Sequence, residues 1–454
     1  MPRRLFGTNG IRGVANRDLT PEFAVRVGLS IGTFFQGGRI LLGCDGRVSS
    51  PFLKSAVAGA LLSTGCEVHD AGMVPTPALQ YGVGHLGMDG GVMITASHNP
   101  PEYNGIKVMA ADGVEIDRGR EREVEEIFFE GRFKRAEWNR VGELRERTEV
   151  LEVYREAILG QVDVGLIRGA GLRVAVDPGN GVTALIVPQI LRDLGCGVVT
   201  VNADIDGRFP GRGPEPRPDN LSGLSALVRA SGADLGVAFD GDGDRAIFVD
   251  ERGRVHWGDR SFALIAREFL AEHPGEAVVT PVSSSQVVRD VVEAYGGRVV
   301  WTRVGSVDVS RKMLSEDLKL GGEENGGVMY GPHQPVRDGA MTTALILEIL
   351  ARTGKRLSEL FDELPRYRQM KDRVECPEEL KGRVLEELRS VVEGPRVETL
   401  DGVKIWYPDS SWILVRPSGT EPIFRLYAEA KTEERVRGLV EEFKKLLEGI
   451  ISRI

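Results

Sequence analysis

Aromatic residues make up only 6% of this 454-residue chain, and its cysteines number four. Cys44, Cys66, Cys196 and Cys376 are far apart, with no paired C-x-x-C spacing. A structural zinc site is therefore not expected, and reduced, partly buried thiols are. A basic surplus is also missing. Lys and Arg total 58 against 67 Asp and Glu, a net charge of −9, whereas a nucleic-acid surface wants a positive stripe. No apolar run reaches the ~18 residues of a membrane span. The start, Met1-Pro2-Arg3-Arg4-Leu5-Phe6-Gly7, turns to glycine and polar residues before a signal-peptide core develops. These absences predict a cytoplasmic protein with no membrane and no nucleic-acid partner, whose anionic ligands, if any, are held by local arginines. No Gly-x-Ser-x-Gly elbow occurs either, which removes the commonest serine-hydrolase signature.

What is present is an ordinary globular balance, 41% hydrophobic and 28% charged, with 57 glycines that imply many tight turns. The length is too great for one core and suits three or four domains. One pattern recurs three times: an amphipathic helix ending at glycine, a β-branched strand, and later a strand–loop–strand unit. The copies run from Leu53 to Val68 and then Gly91 to Ile94. The next runs from Leu185 to Val199, then Gly236 to Phe239. The last runs from Val287 to Val300, then Leu320-Gly321. Pro188 should kink the second helix or mark its late start. Short strands alternating with helices predict α/β units with largely parallel sheets. The charge-dense stretch from Arg118 to Glu149 reads as a solvated helix and connector. Further joints are expected near Glu251 to Gly258 and near Leu364-Pro365-Arg366-Tyr367. The domains expected are 1–150, 151–252, 253–365 and 366–454, the last reading as strands with two helices.

Each repeat hands one polar loop to what can be a shared cleft. Ile94-Thr95-Ala96-Ser97-His98-Asn99-Pro100 follows a buried-looking strand. A lone loop serine is usually only that. Ser97 and His98 are adjacent, so their side chains diverge and a Ser-His-Asp triad is not expected. A serine that carries phosphate fits better, beside Lys107 of Asn104-Gly105-Ile106-Lys107. In Asp240-Gly241-Asp242-Gly243-Asp244-Arg245 the alternating glycines let one turn aim three carboxylates at a point. Hard oxygen ligands suit Mg²⁺ with a phosphate oxygen completing its shell. An EF-hand would also place Glu251 at its twelfth position, but Arg245 stands where the bend needs glycine. Its flank Ala246-Ile247-Phe248-Val249 is strand-like too.

Glu323, Glu324 and Asn325 among four glycines read either as an exposed turn or as acceptors for vicinal sugar hydroxyls. Arg416-Pro417-Ser418-Gly419-Thr420 offers a guanidinium fork, two hydroxyls and backbone N–H groups, an inventory that suits a phosphate dianion. Gly179-Asn180-Gly181 with Ala184, followed later by Asp204, matches a loose dinucleotide fingerprint, a short pattern common by chance.

Together, and in this order along essentially the whole chain from Phe6-Gly7-Thr8-Asn9-Gly10-Ile11-Arg12-Gly13 onward, the loops resemble those of the α-D-phosphohexomutase family. The likeness is greatest to its archaeal and bacterial phosphomannomutase/phosphoglucomutase type. That resemblance implies three similar mixed-sheet α/β/α domains and a smaller C-terminal α+β domain. It implies an isomerase working on hexose phosphates as a monomer or homo-oligomer. Its cofactors would be one Mg²⁺, a phosphoserine at Ser97, and hexose 1,6-bisphosphate as activator. By the same resemblance Ser97, Asp240, Asp242 and Asp244 would hold the metal. Arg12, His98, Lys107 and Arg245 would line the reacting centre. Thr8, Glu323, Asn325, Gly326, Arg416, Ser418, Gly419 and Thr420 would bind substrate. Many relatives carry serine where Asn325 stands and histidine where Gly327 stands, so the sugar is left open among glucose, mannose and glucosamine phosphates. A phosphatase using the same loops, and a non-catalytic sugar- or Ca²⁺-binding protein, are the alternatives in other classes.

Overall fold

Four sheets organise the chain, and the computed structural model describes residues 4–7, 9–394, 396–419 and 421–454. Three of the sheets share one core order. In the first, the strand Tyr103–Ala110 pairs antiparallel with Gly90–Ile94, which runs parallel to Arg39–Cys44, itself parallel to Glu67–Met73. The second repeats this with Ala246–Asp250, Leu235–Phe239, Arg173–Asp177 and Gly197–Thr200. The third does so with Val328–Tyr330, Leu320–Gly322, Ala277–Pro281 and Arg298–Thr302. Each sheet is therefore mixed, three parallel strands and one hairpin partner, with edge strands added outside that core. The fourth, Arg368–Glu375, Ile423–Ala430, Trp412–Pro417, Val403–Trp406 and Arg396–Glu398, is antiparallel throughout. The three α/β/α layers and the smaller sheet-and-helix domain expected from sequence are thus present.

Sequence explains the elements directly. Gly90–Ile94, Leu235–Phe239 and Ala277–Pro281 are buried along their whole length, as central strands covered on both faces must be. Thr20 caps the helix Pro21–Phe35 by accepting from Phe23 N at 3.3 Å, with proline in the first turn. In the last helix, Glu433–Ile451, the buried Val436, Leu439, Val440, Phe443, Leu447 and Ile450 recur at three- and four-residue spacing. Pro188 does mark a late start: a 3₁₀ turn, Val182–Leu185, precedes the helix Val187–Asp193. The charged stretch after Arg118 holds the helix Arg118–Glu130 and also an unforeseen edge strand, Leu144–Glu146, parallel to Glu67–Met73. Among the described residues no helix is long and apolar enough to cross a membrane.

The first three layers are not separate beads. One apolar core runs from Leu79 and Val83 through Val150, Tyr154 and Ile158 to Ile190, Phe239, Phe262 and the helix Gly339–Thr353, buried from Gly339 to Leu347. The fourth sheet and its helices enclose a core of their own. A small cluster, Val282 with Trp406, Trp412, Leu414 and Tyr427, joins that sheet to the third. Each of the first three chemical loops leaves the end of the loop-bearing strand of its repeat and turns into the antiparallel partner. Such a loop is held at both ends by sheet hydrogen bonds.

Candidate active site

The serine loop begins where Ile94 leaves its strand. Ser97 is fully buried and has a positive φ of 51°, a left-handed conformation rare outside glycine and costly unless the surroundings impose it. They do. The buried Arg47 donates from Nη2 to the carbonyls of Ser97 and Asn99, both at 2.7 Å. Its Nη1 donates to those of Pro100 (2.7 Å) and Tyr103 (2.9 Å). Asp45 pairs with Arg47 Nε at 3.1 Å and accepts from the Thr95 and Ser50 hydroxyls, each at 2.7 Å. One guanidinium thus satisfies four carbonyls of the loop and its exit. Arg12 adds a contact to the Ala96 carbonyl at 3.1 Å and one to the Asn99 side chain.

Held this way, Ser97 Oγ donates to Asp240 Oδ2 at 2.6 Å, and His98 Nδ1 stands 3.4 Å from Ser97 Oγ. Asp240, Asp242 and Asp244 are all buried, with one oxygen of each lying within 4.8 Å of the others. Burial, then the charges of Asp244 and Asp242, push the Asp240 carboxyl well above its ordinary range. Burial also acts to raise Asp242, but Lys107 and the Thr76 hydroxyl outweigh it and hold that group low. Lys107 Nζ lies 2.8 Å from Asp242 Oδ2 and 3.5 Å from Asp244 Oδ2, and Thr76 Oγ1 donates to Asp242 Oδ2 at 2.6 Å.

The other oxygens of the pair, Asp242 Oδ1 and Asp244 Oδ1, are buried and make no hydrogen bond; Arg245 Nε stands 3.7 Å from Asp244 Oδ1, an ion-pair distance too long for one. Orphaned carboxylate oxygens at this depth are expensive unless a cation takes them. Three hard oxygen donors with two of them unsatisfied fit a small dication such as Mg²⁺.

Arg245 completes the wall. Its backbone N–H donates to Asp240 Oδ1 at 3.1 Å, and Nη1 approaches Glu215 Oε1 at 3.6 Å. Its buried Nε makes no hydrogen bond, leaving a donor suited to an incoming phosphate oxygen. Burial, reinforced by Arg245, Arg12 and Arg337, holds His98 well below the usual imidazole range, so its ring is neutral at pH 7.

The glutamate loop packs against the aspartate hairpin. Gly326 has φ +89°, and its carbonyl accepts from Ala246 N at 3.1 Å. A side chain at Gly326 would meet the Ala246 carbonyl at 2.5 Å, so only glycine allows this approach. Glu323 is buried and accepts from Arg337 Nη1 at 2.9 Å; burial raises its carboxyl, with Arg337 opposing. Asn325 Oδ1 turns back onto Gly327 N at 3.1 Å. Glu324 points elsewhere: Lys371, on the first strand of the fourth sheet, donates to it at 2.8 Å.

Arg416 and Ser418 lie at the end of Trp412–Pro417 in that fourth sheet. Arg416 Nε is 2.9 Å from Asp401 Oδ2, and the Ser418 carbonyl accepts from Lys381 Nζ at 2.7 Å. Gly419 is exposed. Thr8 and Thr420 lie outside the described residues.

Ser97, His98, Lys107, Arg12, the three aspartates, Arg245 and Glu323 therefore form one connected centre built by three sheets. Sequence reasoning missed Arg47, Asp45, Thr76 and Arg337. Only the Asp45-Gly46-Arg47 spacing just after a strand hinted at a paired turn. The dinucleotide-like fingerprint proves structural. Asn180 donates to the Asp204 carbonyl at 2.9 Å, and a Cβ on Gly181 would meet the Gly241 carbonyl at 2.8 Å, inside the aspartate loop.

Comparison with known proteins agrees with this layout. Family models for the phosphoglucomutase/phosphomannomutase α/β/α domains I, II and III match residues 3–135, 152–253 and 257–367, and that for the C-terminal domain matches 373–446. The chain is 48% identical to a phosphoglucomutase/phosphomannomutase of Thermococcus kodakarensis, over 98% of each chain. It is 47% identical to a phosphoglucosamine/phosphogalactosamine mutase of Sulfurisphaera tokodaii, over 98% of this chain and 99% of that one. A solved phosphoglucomutase/phosphomannomutase family protein from Burkholderia thailandensis shares the fold with a TM-score of 0.87 at 30% identity. That match covers 98% of this chain and 97% of the other.

Proposed function

We infer that this chain, which belongs to the phosphoglucomutase/phosphomannomutase family and is an isomerase of hexose phosphates, moves the phosphoryl group through Ser97. The observation that carries this reading is the Ser97 hydroxyl, 2.6 Å from Asp240 in a buried carboxylate cluster with two unsatisfied oxygens. We assign the domains as 1–150, 151–252, 253–365 and 366–454, so that each carries one of the four loops.

Phospho-Ser97 gives its phosphoryl group to the free hydroxyl of a hexose monophosphate. The Oγ–P bond breaks, a P–O bond to the sugar forms, and the hydroxyl proton passes to the neutral ring of His98. The resulting hexose 1,6-bisphosphate reorients, and Ser97 Oγ takes the phosphoryl group from the other end, the proton returning to the sugar. Mg²⁺ held by Asp240, Asp242, Asp244 and Ser97 would supply positive charge to the oxygens of the transferring group. Lys107, Arg12 and Arg245 line that position, and Arg245 Nε has the spare donor. Glu323, Asn325 and Gly326 face the sugar, while Arg416, Ser418, Gly419 and Thr420 hold the phosphate that is not reacting.

Glucose and mannose phosphates are the substrates this loop favours. Glu323 and Glu324 each already have a cationic partner, which suits neutral hydroxyls. Amino-sugar phosphates are the second reading, since a relative of nearly equal similarity is named for them. The test is to incubate the protein with hexose 1,6-bisphosphate and map the phosphate by peptide mass. One phosphoryl group on Ser97, with mutase activity lost in Ser97→Ala, is expected. Full activity in that variant overturns the reading.

A further inference from the structure

Arg337 ends the strand Gln334–Arg337 and is 6% exposed. Its two terminal nitrogens serve two different loops. Nη2 donates to Asp244 of the aspartate hairpin, and Nη1 donates to Glu323 Oε2 of the glutamate loop at 2.9 Å. No other described side chain ties these loops by hydrogen bonds to both. Its seat exists because residue 327 is glycine: a Cβ there would lie 2.2 Å from Arg337 Cδ and 2.8 Å from Cγ. Nor can the strand shift easily. The next residue, Asp338, accepts from the Tyr154 hydroxyl at 2.7 Å and from Gln334 Nε2 at 3.0 Å. It also caps the helix Gly339–Thr353 through Met341 N at 2.9 Å.

We propose that Arg337 is a specificity-determining positioning residue, which selects sugars with neutral hydroxyls by occupying the charge of Glu323. The proposal rests on the reading that Glu323 faces the sugar. A buried carboxylate asks for one full positive charge. While Arg337 supplies it, Glu323 offers a substrate only its remaining lone pairs, which suits a hydroxyl donor. A sugar ammonium would place a second cation beside the guanidinium, a like-charge contact. With Arg337 removed, an ammonium becomes the partner that the carboxylate lacks, so the preference should turn toward amino-sugar phosphates.

The test compares kcat/KM for glucose 1-phosphate and glucosamine 1-phosphate in the wild type, Arg337→Met and Arg337→Lys. Arg337→Met should raise the glucosamine-to-glucose ratio by roughly tenfold, the scale of one charge-assisted hydrogen bond, mainly through KM. Arg337→Lys keeps the charge and should hold the ratio within about twofold of wild type while losing turnover on both sugars. A merely structural arginine would lower both activities together. An unchanged ratio in Arg337→Met overturns the proposal. If that variant fails to fold, Gly327→Ala, whose methyl displaces Arg337 from its seat, must shift the ratio in the same direction or the proposal falls. Glu323→Gln separates the premise: an unchanged KM for glucose 1-phosphate in it removes Glu323 from the sugar site, and the proposal with it.

Discussion

Replacing Arg47 by methionine should be the most damaging single change outside the reacting groups. The side chain is fully buried and pairs with Asp45, which is equally buried. Methionine would take the Arg47 donors from the carbonyls of Ser97, Asn99 and Tyr103, leave Pro100 only Tyr103 N, and leave Asp45 without its counter-charge. Breaking one side of a buried pair costs about 3–5 kcal/mol, and a buried acceptor left unpaired about 1–3 kcal/mol. Water entering the gap will satisfy some of these groups, so about 4 kcal/mol is the working figure. For a unit of about 150–250 residues that corresponds to a fall of roughly 8–16 °C in Tm, and the core shared by the first three layers makes the shift smaller. Activity should fall further than stability, because Ser97 keeps its positive φ only while those carbonyls are tied. Once the loop relaxes, Oγ leaves its 2.6 Å contact with Asp240. Calorimetry read beside kcat at a temperature where the variant is folded tests this. A variant with the parental melting profile and turnover would show that the loop holds itself and that Arg47 is a passenger.

Asp242→Asn removes one of three anionic ligands while keeping volume. It should lower turnover by two orders of magnitude or more, and EDTA should silence the wild type reversibly; activity indifferent to both contradicts a metal role. Asp259 gives a pH signature. Burial, then the charge of Glu324, raises its carboxyl to about 7, so the folded protein binds a proton the unfolded chain has released. The stability this contributes is present at pH 4 and lost as pH rises through 7. Asp259→Asn should flatten the dependence of Tm on pH between about 5 and 8 and melt above the wild type at pH 8; parallel curves refute it. On sugars, wild-type kcat/KM for glucose and mannose 1-phosphates should agree within roughly tenfold, an axial-versus-equatorial hydroxyl shifting one hydrogen bond. A glucosamine 1-phosphate value a hundredfold above both would make amino sugars the substrates.

The features legible in the sequence are those whose signal is local. Ser97 and the Asp240–Asp244 run sit at strand ends, where β-branched runs, glycines and polar residues follow each other within ten positions. What stayed hidden is carried by single cations whose partners are remote. Arg337 looks like any strand-end arginine until Asp244, 93 positions earlier, and Glu323 close around it. Adjacent glutamates are equally indistinguishable on paper. The turn after Gly322 sends Glu323 to Arg337 and Glu324 to Lys371, and only Lys371, from another sheet, decides that Glu324 is the one withdrawn. The neutral state of His98 likewise depends on burial first and then on three arginines from elsewhere in the chain. The repeats themselves posed a subtler problem. Three copies of one sheet order fix where each loop stands on its own sheet, but not that the loops face one another. That follows from contacts between copies: the shared core through the helix Gly339–Thr353, and close glycine approaches such as Gly241 to Ser97, whose carbonyl a Cβ would meet at 2.6 Å, and Gly326 to Ala246, at 2.5 Å. In a protein built by repetition, then, the chemistry is written within the repeats. The active site is written between them, in residues whose only distinction is to be small or to carry one charge.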